Sequence, residues 1–181
     1  QRAMEDCLPE ARRLLHEPPF PSLPDALTSL VREKGFTATQ EEAIEFIRKH
    51  EPPEGYFLGF SGGKDSTVLY DLTLKSAVKF QAYYSLMPDP PELIKFVKQF
   101  PVKIIRPEKS FWELVETWFP PNRNARWCCD AIKEKPSTKV PLTYRLIGIR
   151  AEEGQSRAKR GMINQVTKKR INLHPLFNWL E

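Results

Sequence analysis

Six consecutive positions, Ser61-Gly62-Gly63-Lys64-Asp65-Ser66, bring together hydroxyls, glycines, a lysine and a carboxylate. Before them, Tyr56-Phe57-Leu58-Gly59-Phe60 is a short apolar run that predicts a buried strand. After them, residues 64–74 carry apolar side chains at helical spacing. The motif thus sits on a strand-to-helix turn. There the first backbone N–H groups have no partner within the helix, and the helix dipole adds partial positive charge. Such a turn holds an anion. Gly62 and Gly63 allow the backbone close to a phosphate, and Ser61, Ser66 and Thr67 offer hydroxyl donors. Lys64 adds a positive charge, and Asp65 orients a metal ion or the loop itself.

Two other chemistries at this turn fit less well. A Walker A loop requires G-x-x-x-x-G-K-[ST]; here Gly63-Lys64 is followed by Asp65, and no glycine stands at the upstream position. Gly59-Phe60-Ser61-Gly62-Gly63 matches the G-x-S-x-G pattern of a hydrolase nucleophile. His174 is then the only later histidine to act as base, and Lys64 and Ser66 are left without a role.

Farther along, Arg150 follows directly on the apolar run of residues 144–149 and Arg157 lies close behind. Guanidinium groups bind phosphate or sulfate in bidentate fashion, so both read as anion clamps, with Arg150 expected to emerge at the sheet's carboxyl edge. Arg123 and Arg126 are lesser candidates for the same pocket. Cys128-Cys129 is the other unusual pair; adjacent cysteines do not suit one zinc ion, whose ligands are usually two to four residues apart. His16, His50 and His174 are scattered in unlike contexts, and Trp112, Trp118 and Phe119 sit at core-like spacings. The basic stretch of residues 159–170 is the only candidate for a nucleic-acid face.

The elements that must position these residues are punctuated by proline pairs at 18–19, 52–53, 90–91 and 120–121, each of which blocks helix propagation. Between them strands are predicted near residues 56–60, 79–84, 102–105 and 144–149. Helices are predicted over 23–34, 40–48, 64–74, 92–99, 111–118 and 128–133. Strands alternating with helices predict an α/β fold, a Rossmann-like, mostly parallel sheet with helices on both faces. Residues 162–179 read as a hairpin or a strand returning to the sheet edge. The expected organisation is a helical lead-in over 1–52 and a nucleotide-binding domain over 53–181, packed as one body.

The 181 residues suffice for one domain with a short appendage, and 40% hydrophobic with 28% charged residues excludes a disordered composition. No apolar run approaches the roughly 20 residues that span a bilayer. Residues 1–6 are too polar for a secretory signal, and three cysteines cannot close a disulfide framework, so the expected compartment is the cytoplasm. The net charge of +5 is compatible with anionic ligands without requiring them.

Ser61-Gly62-Gly63-Lys64-Asp65-Ser66 after a buried strand resembles the PP-loop of the ATP-pyrophosphatase, or adenine nucleotide α-hydrolase-like, superfamily. The chain is more closely similar to its phosphoadenosine-phosphosulfate (PAPS) reductase-like branch. Three further blocks carry that likeness: Asp89-Pro90-Pro91-Glu92-Leu93, Arg126-Trp127-Cys128-Cys129 with Lys133, and Gly148-Ile149-Arg150-Ala151-Glu152-Glu153 with Arg157.

The resemblance covers residues 56–179. It implies an adenine nucleotide at the carboxyl ends of the strands and cleavage of ATP between the α- and β-phosphates with Mg²⁺, adenylating a small anionic or sulfur-containing substrate. It implies catalytic roles for Lys64, Asp65 and Arg150. It also implies a sulfonucleotide reductase as the alternative, in which a thiol attacks sulfur; loops of true PAPS reductases usually lack the lysine, so Lys64 with Asp65 favours ATP. Within the resembling family a Cys-Cys pair can ligate a [4Fe-4S] cluster, which makes Cys128 and Cys129 candidate ligands; the only other cysteine is Cys7. Pro175-Leu176-Phe177-Asn178-Trp179 corresponds to a block normally followed by a further C-terminal region, so the domain is expected to be truncated at that end. A non-catalytic nucleotide- or nucleic-acid-binding subunit and a homo-oligomer are the other partner states considered.

Overall fold

The computed structural model describes residues 40–122, 125–167 and 169–179. The helix expected over 23–34 and the rest of the lead-in to residue 39, with Cys7, His16 and Arg123, lie outside the described residues.

The apolar runs become strands and the amphipathic stretches between them helices. Along the chain these are α1 (Gln40–Lys49), β1 (Tyr56–Gly59), α2 (Lys64–Lys75), β2 (Phe80–Ser85), α3 (Pro91–Val97), β3 (Val102–Ile105) and α4 (Phe111–Thr117). A π-helical segment (Cys129–Glu134) and a helical turn (Lys135–Ser137) lead to β4 (Tyr144–Leu146). A 3₁₀ turn (Ala151–Glu153) and a one-turn helix (Gln155–Ala158) precede β5 (Ile163–Thr167) and β6 (Arg170–Leu173). Local chemistry sets the ends. Pro91 opens α3, where its missing N–H costs nothing. Ser110 and Glu113 exchange hydrogen bonds in a capping box at the start of α4.

The six strands among the described residues form one sheet in the order β3-β2-β1-β4-β6-β5. All neighbours are parallel except the β5–β6 hairpin, which adds an antiparallel edge. Residues 162–179 thus hold the hairpin that the sequence offered as one of two readings, with β6 inserted beside β4. Strand order reverses between β1 and β4, and in open α/β sheets ligands bind in the crevice at that switch point.

Period-two alternation divides the sheet into two unlike faces. Tyr56, Leu58, Ala82, Tyr84, Leu146 and Leu173 pack with Ala43 and Ile47 of α1, Leu69 and Leu72 of α2, and Val97 of α3 in the hydrophobic core. Burial of each large apolar side chain here contributes about 1.5–3 kcal/mol. Tyr56 ties α1 to β1, its buried hydroxyl donating to the Ile47 carbonyl at 2.8 Å. The opposite face presents Phe57, Tyr83, Arg145 and Asn172, with Phe57, Arg145 and Asn172 in one register row across β1, β4 and β6. The π-helical segment and its following turn reach this second face, where Ser137 accepts from Arg145 and Glu134 from Arg170.

β4 ends at Leu146, three residues short of the sequence expectation. The Ile149 N–H turns back onto the Ile147 carbonyl at 3.0 Å, so the chain leaves the sheet there. No helix among the described residues is long and apolar enough to cross a membrane.

His174, just after β6, has none of its surface exposed. Its Nδ1 lies 2.8 Å from the Gly161 carbonyl, so Nδ1 carries the proton and donates. Nε2 is buried with no partner among the described residues, and burial lowers the ring's pKa below its ordinary 6.5. The unfolded chain therefore takes up this proton first as pH falls, and the native state loses stability as pH drops through about 6.5. Urea unfolding at pH 7.5 and 5.5 should show a smaller loss of stability on acidification in His174→Gln than in the parent; equal losses would contradict this reading of His174.

Candidate functional site

The loop after β1 has the geometry its residue types suggest. Gly62 lies at φ +76°, in the left-handed region, and a β-carbon there would come 2.7 Å from Leu93 Cδ1. Gly63 is extended and caps α2 without a side-chain hydrogen bond. The loop is stitched to the first turn by hydroxyls. Ser66 Oγ donates to the Gly63 carbonyl at 2.8 Å, Ser61 Oγ to Ser66 Oγ at 3.1 Å, and Thr67 Oγ1 to the Gly63 carbonyl at 3.1 Å. The N–H groups of the first turn have no intrahelical acceptor and remain as the anion-binding feature of the turn.

A cavity of about 560 Å³ opens at this point. Ser61, Gly63, Lys64, Asp65 and Ser66 line one end, and the polar face of the sheet forms its floor through Phe57, Tyr83, Arg145 and Asn172. Gly148, after β4, makes the other lip of the crevice; a β-carbon there would stand 3.1 Å from the carbonyl carbon and oxygen of Asp65. Gly62 and Thr67 stand outside the lining, so they shape the turn without facing the cavity.

Of the two arginines expected as anion clamps, only Arg157 lines the cavity. It is half-exposed and ion-paired with Glu153. Burial alone would raise the Glu153 pKa, but the Arg150 N–H at 2.9 Å and the Arg157 guanidinium override this and hold it below the usual carboxylate value. Arg150 lies against the loop, but through Asp65 and not on the cavity lining. Its side chain is 7% exposed, with Nη1 on Glu152 and Nε 3.1 Å from Asp65 Oδ1, an ion pair without the alignment of a hydrogen bond. β4 has already ended at Leu146, and Arg150 lies in the turn that follows, in contact with the first turn of α2 through Asp65. Asp65, expected to orient a metal or the loop, is thereby held by an arginine while still lining the cavity.

Cys128 and Cys129 are half-buried, on the π-helical segment and the residue before it, and neither lines the cavity. Arg126 Nη2 lies 3.7 Å from Cys129 Sγ. A [4Fe-4S] cluster usually takes four thiolates. Among the described residues no group of three or more His, Cys, Asp or Glu side chains is placed to hold a metal ion. The described residues by themselves therefore do not complete a cluster site. Trp112, Trp118 and Phe119, expected in the core from their spacing, are exposed instead at 66%, 49% and 48%; Trp127 donates from its indole to the Phe119 carbonyl and stacks on Phe111.

Other cavity residues were given no role at this site by the sequence, Arg170 having been read only as part of the basic stretch 159–170. Tyr84 donates a short hydrogen bond to Asp89, and burial, then that bond, raise its hydroxyl well above the ordinary pKa. Asp89 belongs to a motif that was noted without a role. Arg145, Arg170 and Asn172 sit within strands, and their shared face follows from pairings between segments distant in the chain. A charged residue inside a short apolar run was the one local signal for Arg145.

The loop geometry predicts unequal roles for its glycines. Gly62→Ala should destabilise the protein by about 1–2 kcal/mol, the cost of a left-handed L-residue. Gly63→Ala, at φ −80° with its nearest atom 3.5 Å away, should cost distinctly less. Urea denaturation of the two variants measures the difference; equal losses would contradict the turn's conformation.

The family model described as the phosphoadenosine phosphosulfate reductase domain matches residues 55–181. An uncharacterized protein of Methanocaldococcus jannaschii is 32% identical over 179 residues, covering 88% of this chain and 37% of its own length. A second uncharacterized protein of the same organism is 29% identical over 132 residues, covering 66% of this chain and 32% of its own. The chain spans about a third of the length of these relatives. With the β1–loop–α2 crevice, the six-stranded sheet and a match over residues 55–181, the chain belongs to the phosphoadenosine phosphosulfate reductase domain family.

Proposed function

We propose that the cavity binds ATP or a related adenine nucleotide, and that the domain cleaves the α–β phosphate bond to adenylate a second substrate. The observation that carries this reading is the position of residues 61–66. A glycine turn, a lysine and the open first turn of a twelve-residue helix meet at the switch point of the sheet, on a cavity.

In this reading the polyphosphate lies against the first-turn N–H groups and Lys64. An oxygen of the second substrate attacks the α-phosphorus, the bond to the bridging oxygen breaks, and pyrophosphate leaves with the electron pair. Charge accumulates on the departing group, where preorganised donors are most effective; loss of one such donor typically costs about 3–4 kcal/mol of barrier. Arg157 flanks the cavity as a further cation. Mg²⁺ enters with the nucleotide as part of the substrate, and Asp65 and Asp89 are carboxylates on the cavity wall available to it. Arg150 acts through Asp65, as a positioning residue.

The family description favours one other reading, a sulfonucleotide reductase in which a thiol attacks the sulfur of a bound adenylyl sulfate. Neither Cys128 nor Cys129 lines the cavity, so that chemistry would draw its thiol from outside the described lining. Lys64 in the loop supports ATP. A subunit that binds nucleotide or nucleic acid without turnover would share the same loop.

Calorimetric titration with ATP·Mg²⁺, PAPS and adenylyl sulfate separates these readings. The proposal expects ATP to bind most tightly, and Lys64→Ala to weaken it at least tenfold, about 1.4 kcal/mol. Pyrophosphate release on addition of candidate acceptors then reports turnover. Preference for either sulfonucleotide, or ATP binding indifferent to Lys64, would contradict the proposal.

A further inference from the structure

The cavity does not end at the loop, and its cations are not evenly matched by carboxylates. Near the loop, Arg157 is paired with Glu153. On the sheet floor the balance is different. Arg145, in the middle of β4, is 5% exposed, yet its hydrogen bonds run to neutral groups: Nη1 to Ser137 Oγ at 2.9 Å and Nη2 to the Ser137 carbonyl at 2.8 Å. Its Cζ lies 4.3 Å from the centre of the Phe57 ring. On the neighbouring strand, Arg170 Nη1 lies 2.7 Å from Glu134 Oε2, and this carboxylate is itself more than half exposed. The buried Nε atoms of both arginines have no hydrogen-bond partner among the described residues.

A buried cation without a counter-charge is costly, since neither solvent nor an ion pair compensates its desolvation. Burial, and next the like charge of Arg170, pull the Arg145 pKa down to about 10, with Glu134 opposing. The group nevertheless stays charged at neutral pH. Two guanidinium groups that repel each other, share one exposed carboxylate and border a cavity form an arrangement that an incoming anion relieves.

We propose that Arg145 and Arg170 form a second oxyanion subsite on the sheet floor of this cavity, distinct from the glycine loop, which takes the carboxylate, sulfate or phosphate group of an acidic second substrate. Resting on the proposed nucleotide reading, this narrows the acceptor to a small acid that is anionic at neutral pH. The anion joins the cavity from the face opposite the hydrophobic core, so it and a polyphosphate on the loop occupy different walls.

The test uses inorganic sulfate as the probe, in calorimetric titrations at ionic strength held constant with chloride, on the parent chain and on Arg170→Gln, Arg145→Lys and Lys64→Ala. Circular dichroism first establishes that each variant folds; Arg170→Gln serves if Arg145→Lys does not. The expected result is sulfate binding that persists at saturating ATP, falls at least tenfold in Arg170→Gln, and is little changed in Lys64→Ala. Sulfate that competes with ATP while Arg170→Gln weakens both would overturn the separate acidic acceptor and assign the two arginines to the nucleotide. Arginine-dependent sulfate binding in a chain that does not bind ATP would overturn the nucleotide reading and leave the subsite standing. Sulfate binding unchanged in folded Arg170→Gln, or lost only in Lys64→Ala, would overturn the subsite.

Discussion

Gly148 approaches the first turn of α2 so closely that a β-carbon would stand 3.1 Å from the backbone carbon and oxygen of Asp65. That approach brings the loop after β1 and the chain after β4 together as the two lips of one crevice. It also brings Arg150 within reach of Asp65, where the ion pair fastens the second lip to the helix that carries the anion-binding turn. The turn can hold its glycines in an open conformation because its two sides are fixed by strand pairing and by this contact. The site therefore depends on backbone proximity first, and on side-chain chemistry only within the frame that proximity sets.

The sheet separates stability from recognition by the simplest device available to a strand, alternation. One face of β1, β2, β4 and β6 supplies the hydrophobic core with α1, α2 and α3. The other supplies an aromatic and polar floor, on which Phe57 stacks with Tyr83 at 4.6 Å and Arg145 sits over Phe57. Parallel strands covered on both faces usually read as continuous apolar runs. Arg145 within Tyr144–Leu146 breaks that rule, and rule-breaking residues of this kind concentrate where a protein binds something.

Much of this was legible in the chain because it is local. The apolar run of β1, the glycine turn and the periodicity of α2 follow one another without interruption, so strand, loop and helix could be placed from residues 56–75 alone. Proline pairs marked several of the boundaries. What escaped was non-local. Arg150 was expected on the cavity because the apolar run continues to Ile149, but the strand ends at Leu146 and the arginine is engaged by Asp65 and Glu152 instead of lining the cavity. Arg145, Arg170 and Asn172 become neighbours only once β6 lies beside β4, and nothing in their local sequence announces that register. The family likeness, by contrast, rested on separated blocks in order, and the match over residues 55–181 agrees with it.

The central claim is that the turn between β1 and α2 is where an anionic ligand is held. Amide chemical-shift mapping of the isotopically labelled chain during titration with pyrophosphate tests it most directly. The account predicts that the largest shifts fall on the N–H groups of residues 63–66 and on Gly148 across the crevice. Largest shifts in the basic stretch of residues 159–170, with the loop amides unmoved, would contradict it.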